Sequence, residues 1–388
     1  MPYQMKPSEH HLSLTRITDE QHFHALKAEW NRLCAESPSN SVFLRHEWFD
    51  AAWQWAGREH RLNLLCVYRS GLLIGICPLM LRVIRGPFVT RRKLTFLTVP
   101  DTQLCDVLSS PADLDAVIQT VAEQLFALRN DWDVLELNYL PAGSPTPGLL
   151  AGQMAKMGLR VTLQPAGRNP LITLQDGWDA FYSSRSRRLK KGNNLIANHL
   201  NKAGAPVVRQ FTNKPDVATL LAAITEISAR SWKTTTGMSL EHSGPRSFIT
   251  CLSRHAAEHG WLSAWLLNLN DKPVAMEYQL IYQGSVHALR SDFDEAYGHL
   301  SPGTYLNWKQ LEQLFGMGLA TYYMGPGDNA YKYRWTETGE PLCRFRAYSS
   351  TLRGRCGYLL EERARPAAAR IRSWINGLLH GAAKANSA

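Results

Sequence analysis

The sequence predicts an α/β (α+β) fold made of two similar modules, each a mixed, twisted sheet flanked by helices. Three observations carry this expectation. Each half holds an apolar run folded on itself by a turn, "VYRSGLLIGICPL" in the first and "LNLNDKPVAMEYQL" in the second. In each half the hairpin follows segments whose apolar residues recur at helical spacing. In each, a helix and then a buried-type strand come after it. The halves share little identity, so the repeat is one of element order.

Taken in order, "HLSLTRI" (11–17) reads as a strand. Residues 19–34 read as helix, with Phe23, Leu26, Trp30 and Leu33 on one face. The first hairpin, 61–83, turns at Arg69-Ser70-Gly71, and "KLTFLTV" (93–99) follows it. A helix is expected from Pro111 to Arg129, then the strand "WDVLELNYL" (132–140), the break "PAGSPTPG" (141–148), a short helix and a strand near 159–164. In the second half, Val217, Leu220, Leu221, Ile224 and Ile227 mark a helix over 216–232. A second helix, 245–258, ends at Gly260, a suitable C-terminal cap. Three strands follow, joined at Asn270-Asp271 and Gln283-Gly284. The loop "DFDEAYGHLSPG" leads into the helix "TYLNWKQLEQLFGMG", the strand "LATYYMG" and the strand "PLCRFRAYS". Module boundaries are expected at 1–165 and 166–352. Residues 353–388 form a basic, Ala-rich helical tail, whose amphipathic run "AARIRSWINGLL" docks on the body or, less simply, lies on a membrane surface.

Lys and Arg outnumber Asp and Glu by 43 to 33, and a net charge of +10 favours anionic partners without choosing among them. The cysteines number seven, are scattered and form no CxxC pair. This argues against a zinc site or a disulfide framework, and reads as buried free thiols in a reducing compartment. No metal is expected. The first residues lack the apolar core of a signal peptide, and no uncharged apolar run reaches the roughly 20 residues that span a bilayer. A cytoplasmic protein is therefore expected.

Asp294, Tyr297, Ser301, Pro302, Gly303 and Leu306, followed by Gly325, Gly327, Tyr331, Lys332 and Trp335, form an ordered pattern. It resembles the acetyltransferase-like domain of the GNAT superfamily, in its CelD/BcsL-like branch. That branch is related to the FemAB transferases, which carry two such domains in tandem. The basic stretch 181–204 resembles the helix that opens the family's catalytic half. The resemblance covers roughly 175–340. It implies two tandem GNAT-like modules and acyl transfer from acyl-CoA to an amine, with many relatives acting in polysaccharide or envelope synthesis. The R/QxxGxG/A loop of ordinary GNAT enzymes is missing. The first half, with no SPG-like loop before a helix, is expected to be a degenerate module.

A helix start leaves unpaired N–H groups and a partial positive charge. Ser301 as cap, Pro302, Gly303 and Thr304 therefore make a candidate cradle for donor phosphates. Acylating an amine also requires a proton acceptor. Glu277, a carboxylate in mid-strand, is the first candidate and His287 the second. The absence of GxSxG or Cys-His signatures agrees with direct transfer. The resemblance places Lys332 on the donor's phosphates, assigns the basic run with Arg185 and Arg188 to an anionic acceptor or donor, and makes Tyr331 a substrate contact. Asp294 is expected to close its turn. The acceptor would be a small-molecule or lipid-linked sugar amine, with peripheral membrane contact through the tail. Two other readings are a Fem-like transferase using aminoacyl-tRNA, the one reading that calls for nucleic acid, and a non-catalytic GNAT-fold factor in polysaccharide assembly.

Overall fold

Three tight turns set the frame of both halves. Ser70-Gly71, Asn270-Asp271 and Gln283-Gly284 take positive φ at both positions, the geometry whose twist matches that of flanking antiparallel strands. The computed structural model describes residues 11–85, 90–327 and 329–364.

The first half runs β1 (Leu12–Ile17), α1 (Glu20–Ala25), α2 (Lys27–Glu36), α3 (His46–Ala56), β2 (Arg61–Arg69), β3 (Leu72–Arg85), β4 (Thr90–Phe96), β5 (Leu108–Ser109), α4 (Leu114–Ala127), β6 (Val134–Pro141), α5 (Thr146–Lys156) and β7 (Arg160–Thr173). The second runs α6 (Trp178–Ser183), α7 (Arg187–Ala203), β8 (Pro206–Phe211), α8 (Val217–Ala229), α9 (Ser243–Glu258), β9 (Leu262–Leu269), β10 (Lys272–Tyr282), β11 (Ser285–Phe293), α10 (Pro302–Phe315), β12 (Thr321–Tyr323), β13 (Gly339–Tyr348) and α11 (Leu352–Tyr358). A π-helical turn, Leu359–Ala364, closes the described chain. The run 368–379 singled out in the sequence lies outside the described residues.

Strand order shows the duplication better than the sequence does. The mixed sheet runs β1-β2-β3-β4-β6-β13-β7-β12-β11-β10-β9-β8, with β5 paired to β3. Read from either edge, three antiparallel neighbours lead to one parallel pair, β4 with β6 and β11 with β12. Each parallel pair is bridged by a helix, α4 or α10, as a parallel crossover requires. The last strand of each half then crosses over. β13 lies against β6 of the first half, and the end of β7 pairs with β12 of the second. The two crossing strands pair with each other from Arg160↔Tyr348 to Pro170↔Gly339. This explains why β7 extends well beyond the 159–164 run: its outer half gains partners only from strands that arrive much later in the chain.

A continuous core of buried side chains runs through the first half and onto α8, α9 and β10, and a second fills the space between α7, α10 and the β9–β12 sheet. The modules meet where α3 packs on α9, with Trp48 edge-on to Phe248 at 5.4 Å between ring centres. Six cysteines are buried free thiols and Cys356 is exposed. No helix among the described residues is long and apolar enough to cross a membrane.

Candidate functional site

β11 and β12 are paired only at Ser285–His287 with Thr321–Tyr323. Beyond that point the parallel strands part, and a cavity of about 780 Å³ opens at their C-terminal ends, the end of parallel strands at which ligands collect in open sheets. Its walls come from β10, β11, the start of α10, the loop after β12 and a segment of the first module.

Glu277 enters from β10, opposite Ser291 of β11 and Trp265 of β9. It is buried, at 3% exposure, and pairs with no arginine among the described residues. Tyr322 Oη donates to its Oε1 at 2.6 Å, and Asn307 Nδ2 stands 3.2 Å from both carboxylate oxygens. Gln310 Nε2 in turn donates to Tyr322 Oη at 3.1 Å. Burial raises the carboxyl's pKa, and the Tyr322 and Asn307 donors pull it back only in part. The result is a hydrogen-bonded carboxylate that takes up a proton more readily than an exposed one.

The start of α10 lines the same cavity through Ser301, Gly303 and Thr304. Ser301 is not the side-chain cap expected of it. Its backbone is left-handed (φ 53°, ψ 48°) and its hydroxyl makes no cap bond; at this φ it serves as a corner between the preceding turn and the helix. The N–H groups of Thr304 and Tyr305 fold back onto the Ser301 carbonyl, and that of Ser301 onto Gly298. Pro302 has none, so among the described residues the Gly303 N–H is the first-turn donor left for a ligand. The cradle is therefore narrower than the sequence suggests. Asp294 closes its turn as expected, accepting from Ala296 N at 3.0 Å and pairing with Arg230 at 2.8 Å.

Lys332 lines the same cavity, 3% exposed. Its Nζ donates to the carbonyls of Gly325 (2.7 Å) and Pro326 (3.1 Å), tying the loop after β12 back on itself. The lysine thus shapes the cavity as well as charging it. Tyr331 lines the same space.

A second cavity of about 910 Å³ adjoins the first, the two sharing Leu189, Thr304, Arg334 and Trp335 as lining. Arg185 and Arg188 belong here. Arg185 bonds the Trp335 carbonyl and sits 4.6 Å above the Phe181 ring, whereas Arg188 is exposed at the start of α7.

His287 does not belong to this site. It packs edge-on to Phe43 at 5.1 Å and stacked on Tyr323 at 5.0 Å. Burial lowers its pKa to about 3. A ring so enclosed stays neutral and is not among the side chains lining the cavity, which corrects its candidacy as a base.

The first module contributes what its sequence does not announce. Gln103 Nε2 donates to the Ala288 carbonyl of β11 at 2.7 Å, inside the parted strands. Asp101 pairs with Arg290 of β11 at 2.7 Å. In the first module, Cys105 N bonds the Tyr139 carbonyl of β6 at 3.0 Å, so the chain after β4 lies against β6 beyond the residues that pair the two strands. Asn307 and Gln310 were also missed. Their signal is present: two amides three residues apart on the buried face of α10, among Tyr305, Leu306 and Leu311.

Residues 185–333 match the family model described as acetyltransferase (GNAT) domain. No curated protein matches the chain by sequence. Among solved structures, FemX shares 10% identity at a TM-score of 0.55, with 90% of this chain and 100% of that one covered. The C-terminal domain of a putative lysylphosphatidylglycerol synthetase from Agrobacterium fabrum shares 13% identity at 0.52, with 86% and 96% covered. At such identities the likeness is one of fold. Residues 185–333 thus resemble a GNAT acetyltransferase domain, and the mirrored strand order shows that the first half repeats the fold of the second.

Proposed function

We propose that the chain is an N-acyltransferase that moves an acyl group, acetyl in the first instance, from acyl-CoA to an amine on a sugar or cell-envelope polysaccharide precursor. The observation that carries this reading is Glu277: a buried carboxylate facing the same cavity as the first turn of α10, where the parallel strands part. An alkyl ammonium, with a pKa of about 10.4, must lose a proton before it attacks. In this reading Glu277 takes that proton, directly or through a water. The amine nitrogen bonds the thioester carbon, the C–S bond breaks, and the CoA thiolate leaves and is protonated. The donor's phosphates lie at the Gly303 N–H and the positive end of α10, with Lys332 adding charge. The acceptor approaches from the second cavity, past Arg185, Arg188 and Tyr331, and meets the thioester near Thr304 and Trp335. The segment held against β6 in the first module supports a structural role for that half, with Gln103 and Asp101 walling the active one.

A thermal-shift panel of CoA, acetyl-CoA, longer acyl-CoAs and aminoacyl-tRNA tests the donor. A true donor at 100 times its dissociation constant stabilises the chain by roughly 2.7 kcal/mol. A response to aminoacyl-tRNA alone would replace the reading with a Fem-like one, and no response at all would favour a non-catalytic assembly factor.

Two variants separate the donor contacts. A Cβ at Gly303 would meet only Phe293 Cδ1, at 3.5 Å. Gly303→Val should therefore fold, yet crowd the donating N–H and weaken CoA binding in the same assay. If it binds as the parent does, the phosphates lie elsewhere. Lys332→Ala removes a charge and frees the loop held at Gly325 and Pro326. It should raise KM for the donor more than it lowers kcat, as steady-state kinetics at saturating acceptor would show.

A further inference from the structure

Cys251 and His255 stand one helical turn apart on α9, so both side chains leave the same face. That face packs on α3 of the first module, where Asp50 meets it. His255 Nε2 lies 2.7 Å from Asp50 Oδ2, and Cys251 Sγ lies 3.5 Å from the same oxygen. Donor atoms of all three fall within 4.8 Å of one another, and all three residues are buried. The other carboxylate oxygen, Oδ1, stands 3.7 Å from His24 Nδ1, on a side chain 46% exposed. None of these residues lines the cavities described above.

We propose that Asp50, Cys251 and His255, completed by His24, bind a zinc ion at the junction of the two modules. Tetrahedral zinc bonds nitrogen and oxygen at about 2.0 Å and sulfur at about 2.3 Å, which sets oxygen and sulfur about 3.5 Å apart and oxygen and nitrogen about 3.3 Å apart. The Asp50–Cys251 separation already has that value. The Asp50–His255 hydrogen bond must open by about 0.6 Å to reach it, and His24, which now faces the other carboxylate oxygen, must swing toward the ion to complete the set. A carboxylate and a thiolate balance the ion's two charges, with both imidazoles neutral. Binding releases the thiol proton, which burial otherwise holds firmly, raising the thiol to about 12. Arg254 Nη2 stands 3.5 Å from Cys251 Sγ and would donate to the thiolate, an outer contact of the sort that orients metal ligands. The ion enters at the exposed edge of His24. The absence of a CxxC pair does not bear on such a site, because its ligands come from three helices, with Cys251 lying 201 residues beyond Asp50.

The test uses the full chain, free of any polyhistidine tag and in a Cys356→Ser background, since Cys356 is the exposed thiol. After dialysis against metal-free buffer, zinc is measured by mass spectrometry and Co²⁺ is titrated into the stripped protein. We expect close to one equivalent of retained zinc and a thiolate-to-cobalt charge-transfer band. Cys251→Ser should lose the band and bind Co²⁺ more than about 100-fold more weakly, beyond the loss from an outer contact. His24→Asn should keep the band and weaken Co²⁺ by at least about tenfold. A folded parent that retains no zinc and shows no thiolate band overturns the proposal, whatever the variants do. So does a Cys251→Ser chain that binds Co²⁺ as tightly as the parent.

Discussion

Replacing Glu277 by Gln should lower turnover by about 10²–10⁴, the usual contribution of a positioned base, and leave donor affinity nearly unchanged. The amide keeps the shape of the side chain and can still accept from Tyr322. What it loses is the capacity to hold a proton. Because burial outweighs the Tyr322 and Asn307 donors and raises the carboxyl's pKa, the acid limb of the parent's kcat/KM profile should lie above the ordinary carboxylate range of about 4.3. That limb should vanish in the variant. The stability effect runs the other way. A carboxyl whose folded pKa is raised contributes stability below its unfolded pKa and loses it as pH rises through the folded value. At neutral pH the parent therefore bears the cost of an ionised, buried Glu277, and the variant does not. Glu277→Gln should be at least as resistant to denaturant as the parent at pH 7, with the difference disappearing under acid conditions. A fully active Gln variant would remove the base assignment. A variant that is both inactive and markedly less stable would point to a structural role instead.

Asp101→Ala should destabilise the chain by about 3–5 kcal/mol, the range for a buried ion pair stripped of one partner. Arg290 is 1% exposed at its side chain and Asp101 8%, so neither charge has water to fall back on. The guanidinium keeps its bond to the Met238 carbonyl at 2.8 Å and its place 5.8 Å from the Trp55 ring, but its charge is left without a counter-ion. Because Asp101 belongs to the first module and Arg290 to β11, the loss should be felt across the junction. Equilibrium denaturation measures it, and the double variant Asp101→Ala/Arg290→Met should recover part of it. A single-variant loss below about 1 kcal/mol would mean the pair behaves as an exposed one.

Several features were legible because they depend on neighbours in the chain. The turns at Ser70-Gly71 and Asn270-Asp271 announce themselves through residues that tolerate positive φ. Helices α8, α9 and α10 follow the 3.6-residue period of their apolar faces. Glu277 stood out as a charge in an apolar strand. Other features depend on partners remote in sequence. The run "LATYYMG" reads as seven strand residues, yet the strand is Thr321–Tyr323 alone, because after Tyr323 the chain keeps a bond to β7, from Met324 N to the Pro170 carbonyl, but leaves β11 to make the cavity. Ser301 reads as a cap, yet its left-handed backbone makes it a corner. His287 reads as a candidate base, and the Phe43 ring from the other module encloses it.

The sequence by itself determined the alternation of elements, the duplicated order and the residue types at the second module's cleft. Local periodicity, turn chemistry and a short ordered motif are properties of stretches a few to a few tens of residues long. Tertiary structure alone decided which strands complete which sheet, since β13 joins the first half and the end of β7 the second. It also decided which carboxylate is buried in a hydrogen-bonded pocket and which histidine is sealed away. Those outcomes follow from desolvation and from contacts such as Glu277–Tyr322, Arg290–Asp101 and Gln103–Ala288, whose partners lie 45, 189 and 185 residues apart. A pKa or a cavity is set by everything that surrounds a group, and what surrounds these groups arrives from elements tens to nearly two hundred residues away.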